Sequence, residues 1–505
     1  MKKNRNQFLE ELFNTLSKQE KRWISHKIKE AKTEDTKFVN YYFDSFLKNS
    51  KTNVNFNEKQ IHNYRNKIYS FAIDELLIYN RKSDYLDHLR SEISKARLLY
   101  QKSLLSQAEV ILLKTLKKAR LNEWFIQEYE ILVLLESILI KKGENSGKFI
   151  NSEEFMMRLN ELEKDKLAAI EKCKSEAELE TLKNKIFVQI RIDRFSNNNR
   201  LKEEFPNISI LEKEQYPRTK ESFRLNLIYH SILGIYLISI GKEEESISHF
   251  KKILDIFDEN EVLFELMKPT HEIYLYNYIL NAHRIKKYDD YFHLKMEYLK
   301  ALSDEKPEMK VSFHCMNLIW KSTIVDVNGL QNAIKEATLD YKNKKFEFPG
   351  IYLEMDFYFD LCTSNLLINN MEEALNWLNQ ILNHDNCKKV MDLYSIARIM
   401  QIILHYEMGN VIYLQSLIPS VQKSFQKRDK VYEVEKLMAT YILKIVKSKT
   451  KQQNSMFKDL HDKLKILENS ESESQIMNYF NFTDWTESKI SGLSFLETVK
   501  KQTNN

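Results

Sequence analysis

Glycine and proline are scarce, with eight and six copies in 505 residues. Sandwiches, barrels and dinucleotide-binding sheets use glycine at turns and phosphate loops. The scarcity therefore argues against them and for helices joined by short polar turns. The glycine-spaced motifs G-x-x-x-x-G-K-[ST], G-x-G-x-x-G and G-x-S-x-G are absent, as is the zinc-protease motif H-E-x-x-H. A phosphate cradle of backbone N–H groups has almost no glycine to build on. Only four cysteines occur, Cys173, Cys315, Cys362 and Cys387, with no C-x-x-C pair. That pattern argues against a disulfide framework or a zinc site and for reduced, buried thiols. No apolar run approaches the roughly 20 residues of a membrane span. The longest, Ile131–Ile140, is broken by Glu136 and Ser137. The opening MKKNRNQFLEELFNTLS has a basic front but no apolar stretch of the kind a secretory signal carries. These absences set the expectation of a cytoplasmic protein without membrane segments or cofactors.

What is present suits a large folded interior: 43% of residues are hydrophobic and 30% charged. The net charge of +5 is uneven. Residues 1–100 hold 20 Lys and Arg against 13 Asp and Glu, whereas the remainder is close to balance. A basic N-terminal fifth reads either as a surface for an anionic partner, nucleic acid included, or as a Lys-rich solvated surface. The lack of an Arg-rich cluster or a Gly-flanked aromatic motif favours the second.

Breaks between paired apolar segments recur. They fall at Gly241, Lys286-Lys287, Asn328-Gly329, Asn369-Asn370 and Gly409-Asn410, separated by about 45, 42, 41 and 39 residues. Pro269, Pro307 and Pro349 each precede an apolar stretch, and proline suits the first turn of a helix. Each unit then reads as helix A, tight turn, helix B and linker. In the first unit Leu227, Leu233 and Leu237 stripe helix A, and Ile247, Phe250 and Leu254 stripe helix B. Gly241 is expected to end helix A in the left-handed conformation, and Gly234 to let helix B approach closely beside the small Ser246. Pro419, inside LIPSVQKSF, is expected to kink or split the last B helix.

Elsewhere the organisation is looser. Residues 1–90 read as a basic, aromatic-rich domain of about four short helices. Residues 91–196 read as irregular helical pairs: a turn at Lys102-Ser103, a helix over Asn122–Lys142 ending at Gly143, a loop GENSGKF, and an antiparallel pair over Glu153–Arg194. Residues 197–220, with Pro206 and Pro217, read as a connector, 221–447 as the repeat array, and 448–505 as a C-terminal cap. Tyr479, Phe480, Phe482 and Trp485 are placed to cover the last repeat. The fold class expected is all-α, a solenoid of antiparallel helix pairs behind an N-terminal helical cap.

The first unit resembles the tetratricopeptide (TPR) pattern: Leu233-Gly234, then Leu237, Gly241 at the turn, Ser246 and Phe250 on helix B. Ala374, Leu378 and Ile381 fall in the same register, as do Ala108 and Leu112. The early LSKQEKR, Leu16–Arg22, and the late WTESK, Trp485–Lys489, are similar to segments of a group of large bacterial TPR-like proteins. The resemblance brings no catalytic motif. It implies scaffolding or ligand recognition on a concave face lined by the A helices.

Aligning the turns puts Ile228, Ser231 and Ile235 on that face, then Tyr274, Asn277, Asn281 and Arg284, then Leu318 and Ser322, then Asp356, Phe359 and Thr363. Asn277, Asn281 and Arg284 are spaced to point polar side chains one way. Asn pairs with peptide backbone and Arg with carboxylates. The set resembles the carboxylate clamp of chaperone-tail-binding TPR domains, without its lysines. A solvated helix face is the competing reading. His271-Glu272, His314-Cys315 and His384-x-x-Cys387 offer two ligand types each, fewer than the three or four that zinc needs. The expected function is a non-enzymatic scaffold or adaptor for a protein or peptide. The alternatives are a ligand- or peptide-sensing regulator and a nucleic-acid-associated protein.

Overall fold

The computed structural model describes residues 6–30, 58–80, 85–146, 152–195, 205, 222–387, 391–425, 431–468, 470, 473–477 and 479–503. The connector predicted at 197–220 lies outside these apart from Phe205. The described residues are helical or in turns, and none is in a strand. They divide into two compact units, Met1–Cys173 and Lys174–Asn505.

The first unit begins with α1 (Asn6–Thr15), α2 (Lys18–Glu30) and α3 (Glu58–Asn80). Leu9, Phe13, Leu16, Ile24, Ile68 and Ala72 form their small core. Trp23 Nε1 donates to Glu75 Oε2 at 3.2 Å, tying α2 to α3. With 23 residues, α3 is not one of the short helices expected here. Next come α4 (Tyr85–Gln101), α5 (Leu105–Leu121) and α6 (Phe125–Ser146). The turn at Ser103 is where the sequence put it. The helix expected to stop at Gly143 instead runs through it to Ser146, since one glycine costs a helix only about 1 kcal/mol. The antiparallel pair expected over Glu153–Arg194 is a single 44-residue helix, α7 (Ser152–Phe195). Its sequence contains no glycine or proline to break it.

The second unit continues with α8 (Phe223–Ser239), α9 (Glu243–Asp258), α10 (Glu261–Leu266), α11 (Lys268–Arg284) and α12 (Asp290–Glu305). Then follow α13 (Pro307–Thr323), α14 (Val327–Lys342), α15 (Ile351–Leu367) and α16 (Met371–Leu382). The last are α17 (Met391–Glu407), α18 (Val411–Phe425), α19 (Glu433–Lys447), α20 (Thr450–Glu468), α21 (Ser474–Met477), α22 (Phe482–Ser491) and α23 (Phe495–Thr503). Pro269 and Pro307 occupy first turns, as expected. Pro349 stands just before the Gly350 cap of α15. Pro419 lies inside an unbroken α18, so it does not split that helix.

One turn design recurs within the helix pairs. In the second unit it places Gly241, Lys286, Val325, Asn369 and Gly409 at positive φ, at spacings of 45, 39, 44 and 40 residues, and the same turn also follows α14 at Lys344 and occurs earlier at Ser103 and Glu123. After each of the first five, a backbone N–H reaches back five residues: Lys242 to Leu237 O (2.9 Å), Lys287 to Ala282 O (2.9 Å), Asp326 to Lys321 O (3.1 Å), Asn370 to Asn365 O (2.8 Å) and Asn410 to His405 O (2.9 Å). These bonds satisfy carbonyls that the helix end would orphan. The break read at Asn328-Gly329 is thus displaced. Val325 makes the turn, and Gly329 sits in the first turn of α14, its N–H held by the capping carboxylate of Asp326 at 2.9 Å.

A β-branched residue at φ +55° is strained by about 1–2 kcal/mol. Val325→Gly is therefore expected to raise stability by about 0.5–1 kcal/mol, the strain relieved less the extra freedom glycine has when unfolded. The urea midpoint reads this. A lower midpoint would mean that packing of the half-buried valine outweighs the strain.

Close packing sets the first pair. A Cβ on Gly234 would stand 2.9 Å from the Phe250 ring, and Ser246 Oγ donates to Gly234 O at 2.8 Å. Each later helix packs chiefly on its neighbours and on the helix two along. Thus α13 touches α11, α12, α14 and α15, and α17 touches α15, α16, α18 and α19. One continuous core runs from Leu227 to Trp485.

Candidate partner-binding face

The first helices of successive pairs are α8, α11, α13, α15, α17 and α19. From α11 onwards each packs against helices of its own pair and of adjacent pairs, while α8 packs on α9, and most of their side chains are apolar and buried. What remains on these helices is a minority of half-buried or exposed side chains.

The residues expected on the concave face divide sharply. Arg284 is exposed, while Asn277, Ser322, Asp356 and Thr363 are half-buried. Ser322 Oγ meets Ser364 Oγ at 3.3 Å, which links α13 to α15, and Thr363 Oγ1 bonds to Phe359 O of its own helix. Tyr274, Asn281 and Phe359 are buried, as are Ile228, Ser231 and Leu318, so these do not present a face to solvent. Tyr274 packs in the core, and burial pushes its hydroxyl up to about 12. Asn281 has no exposure and donates from Nδ2 to Glu243 O at 3.2 Å, joining α11 to the start of α9. The three-residue polar set is therefore split: Asn281 bolts helices together while Arg284 faces water. Phe359 is covered by Tyr479, with ring centroids 5.5 Å apart and planes at 77°.

These helices also carry a group that the alignment of turns missed. Asp360 lies one turn beyond Asp356 on α15, and its Oδ2 is buried without a hydrogen-bond partner. Burial, and then the charge of Asp356, pushes its carboxyl well above the usual carboxylate range. The nearby Cys315 thiol of α13 is pushed up by burial and then by the charge of Asp360, away from the nucleophilic form. Tyr276 of α11 feels the charges of Asp356, Asp360 and Arg284. The signal was present in YLEMDFYFDLCTSNLL, where two aspartates four apart interrupt an apolar helix. Such a group can accept a hydrogen bond from a donor. It holds no activated nucleophile.

The His/Cys neighbours serve packing. His314 Nε2 pairs with Asp340 Oδ2 at 3.2 Å, and Cys387 is buried with its thiol directed at Leu382 O. His384 Nε2 lies 3.6 Å from Glu354 Oε2. Among the described residues no group of three or more His, Cys, Asp or Glu is placed to hold a metal ion. Among them, too, no helix is long and apolar enough to cross a membrane.

Phe480, Phe482 and Trp485 are buried in the main core, and Tyr479 packs on its edge. No protein-family model, no curated protein and no solved structure matches this chain.

Proposed function

We propose that residues 221–447 are a TPR-like stack of helix pairs, and that the chain is a non-enzymatic scaffold or adaptor binding a protein or peptide along the strip formed by its A helices. The observation that carries this reading is the turn repeated at Gly241, Lys286, Val325, Asn369 and Gly409, combined with packing onto neighbours and next neighbours. Units built this way cannot bury their apolar faces alone, and stacking them leaves one face of A helices lined by polar side chains. Asn277, Arg284, Ser322, Asp356 and Thr363 stay as contact candidates, while Tyr274, Asn281 and Phe359 act beneath the surface.

The test is affinity capture from the native cell on the intact chain. Asn277→Ala/Arg284→Ala is expected to weaken retention of the captured protein at least about tenfold, the scale of a lost contact hot spot. Lys251→Ala/Lys300→Ala, on exposed positions of α9 and α12, is expected to leave it unchanged. Equal retention by both variants would sink the assignment of the face.

A further inference from the structure

Residues 473–477 and Tyr479 lie across three successive A helices. At one end the Glu473 carboxylate accepts the N–H groups of Glu433 and Val434, at 3.0 and 3.1 Å, on the first turn of α19. In the middle α21 packs against α17, and Ile476 is fully buried. At the other end the Tyr479 ring stands edge-on to Phe359 of α15. The segment thus runs from α19 through α17 to α15, against the order of the chain. Its anchors fall at regular spacing: an acid, an aliphatic residue three along, an aromatic three further. Each has a physical complement. The free N–H groups of a helix start attract a carboxylate, the core takes the aliphatic chain, and a buried ring takes a second ring at its edge. Beyond it, burial raises the Asp484 carboxyl while the charge of Lys286, on the turn after α11, draws it back down, so the C-terminal region also lies near that earlier pair.

We propose that this stretch of the A-helix face is a peptide-binding track whose resident ligand is the chain's own Glu473–Tyr479. The partner that fits is a linear segment with the same spacing, a carboxylate followed by an aliphatic and then an aromatic residue, which exchanges with the resident one. The inference rests on the scaffold reading above and gives its partner a chemistry. It also explains why Phe359, the aromatic expected on an open face, is only 2% exposed.

The probe is a fluorescent synthetic peptide of residues 469–482, titrated into the intact chain and into Glu473→Gln/Tyr479→Ala. Loosening the resident segment raises the fraction of chains with an open track, and apparent affinity rises with that fraction. The peptide is expected to bind the variant at least about tenfold more tightly than the unsubstituted chain. A peptide carrying the same two substitutions is expected not to bind. Hydrogen exchange at the Glu433 and Val434 amides should quicken in the variant and slow again when the peptide is added. If the double variant unfolds, Tyr479→Ala alone leaves the carboxylate in place and is read by the same titration. Peptide binding that is absent from, or equal in, the folded variant and the unsubstituted chain overturns the track. If Asn277→Ala/Arg284→Ala still weakens partner capture in that case, only the track falls. If capture is also unaffected, the scaffold reading falls with it.

Discussion

Lowering the pH from 7 to 5 will remove about 4 kcal/mol of stabilisation that two histidines of the Lys174–Asn505 unit hold by being buried in neutral form. His271 is 2% exposed and ringed edge-on by Phe257, Phe264 and Tyr298, with a buried Nδ1 that has no hydrogen-bond partner. Burial brings it down to about 4, reinforced by Lys295 and Lys306 and opposed by Asp258. His283 is likewise pushed down to about 4, with a buried, unpartnered Nε2. His230 and His249 face each other with Nδ1 atoms 2.8 Å apart, and burial lowers them to about 3 and about 4.

The sign follows from where the proton goes. Each folded-state value lies below the unfolded 6.5, so the unfolded chain takes up protons first. The stabilisation is complete above 6.5 and is lost as pH falls towards 4. By pH 5 each independent imidazole forfeits about 2 kcal/mol. His271 and His283 supply about 4, and the coupled pair adds to it. Asp360 and Asp484, whose values are raised, act in the opposite sense and offset part of the loss. Urea titrations at pH 7, 6 and 5 read the effect. A midpoint that does not fall between pH 7 and 5 would refute the neutral burial of these rings. His271→Phe should flatten the curve by its own share.

Trp485→Ala is expected to cost about 3–5 kcal/mol, the range for deleting a buried aromatic side chain. The indole has no exposure and meets the rings of Tyr406 and Phe457 edge-on, at 6.0 and 5.9 Å. Its Nε1 donates to Glu407 Oε1 at 2.7 Å, and Lys489 pairs with the same carboxylate. The substitution therefore opens a cavity between α17, α20 and α22 and takes one donor from a largely buried charge. Trp485→Phe keeps most of the ring and loses only the N–H, so it is expected to cost about 1–3 kcal/mol. The order Ala worse than Phe, on unfolding by urea, checks the division. A loss below about 1 kcal/mol for Ala would mean that the C-terminal helices contribute little to the core.

The helices and their pairing were legible because apolar residues return at helical spacing, and the near-42-residue recurrence was visible without any structure. The turns at Gly241, Lys286, Asn369 and Gly409 were legible where polar residues or glycine interrupt the apolar pattern. Val325 takes the left-handed conformation under backbone hydrogen bonds that side-chain identity does not reveal, so Gly329 was mistaken for a turn. In α7 the reading failed the other way: a pair of helices was expected where no glycine or proline supplies a break.

The face was harder, for a geometric reason. At about 100° per residue, Asn281 lies roughly 40° to one side of Asn277 and Arg284 roughly 20° to the other. The edge of the neighbouring helix falls inside that arc, so one side chain is sealed in and the other left in water. Sequence spacing resolves a helix face, but not where a neighbour's edge cuts it. The C-terminal aromatics marked a covering role for Tyr479, but nothing local marked Phe359, 120 positions earlier, as its partner, or Glu473 as the acceptor for α19, 40 positions earlier.

That crossing segment changes the unit's cooperativity. In a row of helices that touch mainly their neighbours, opening one end leaves the other end's contacts intact, so the array can fray stepwise. A strand of chain gripping α15, α17 and α19 together makes the departure of any one of them cost contacts at all three. The pairs it spans are thereby converted from separate links into a single all-or-none block, whose release is one event.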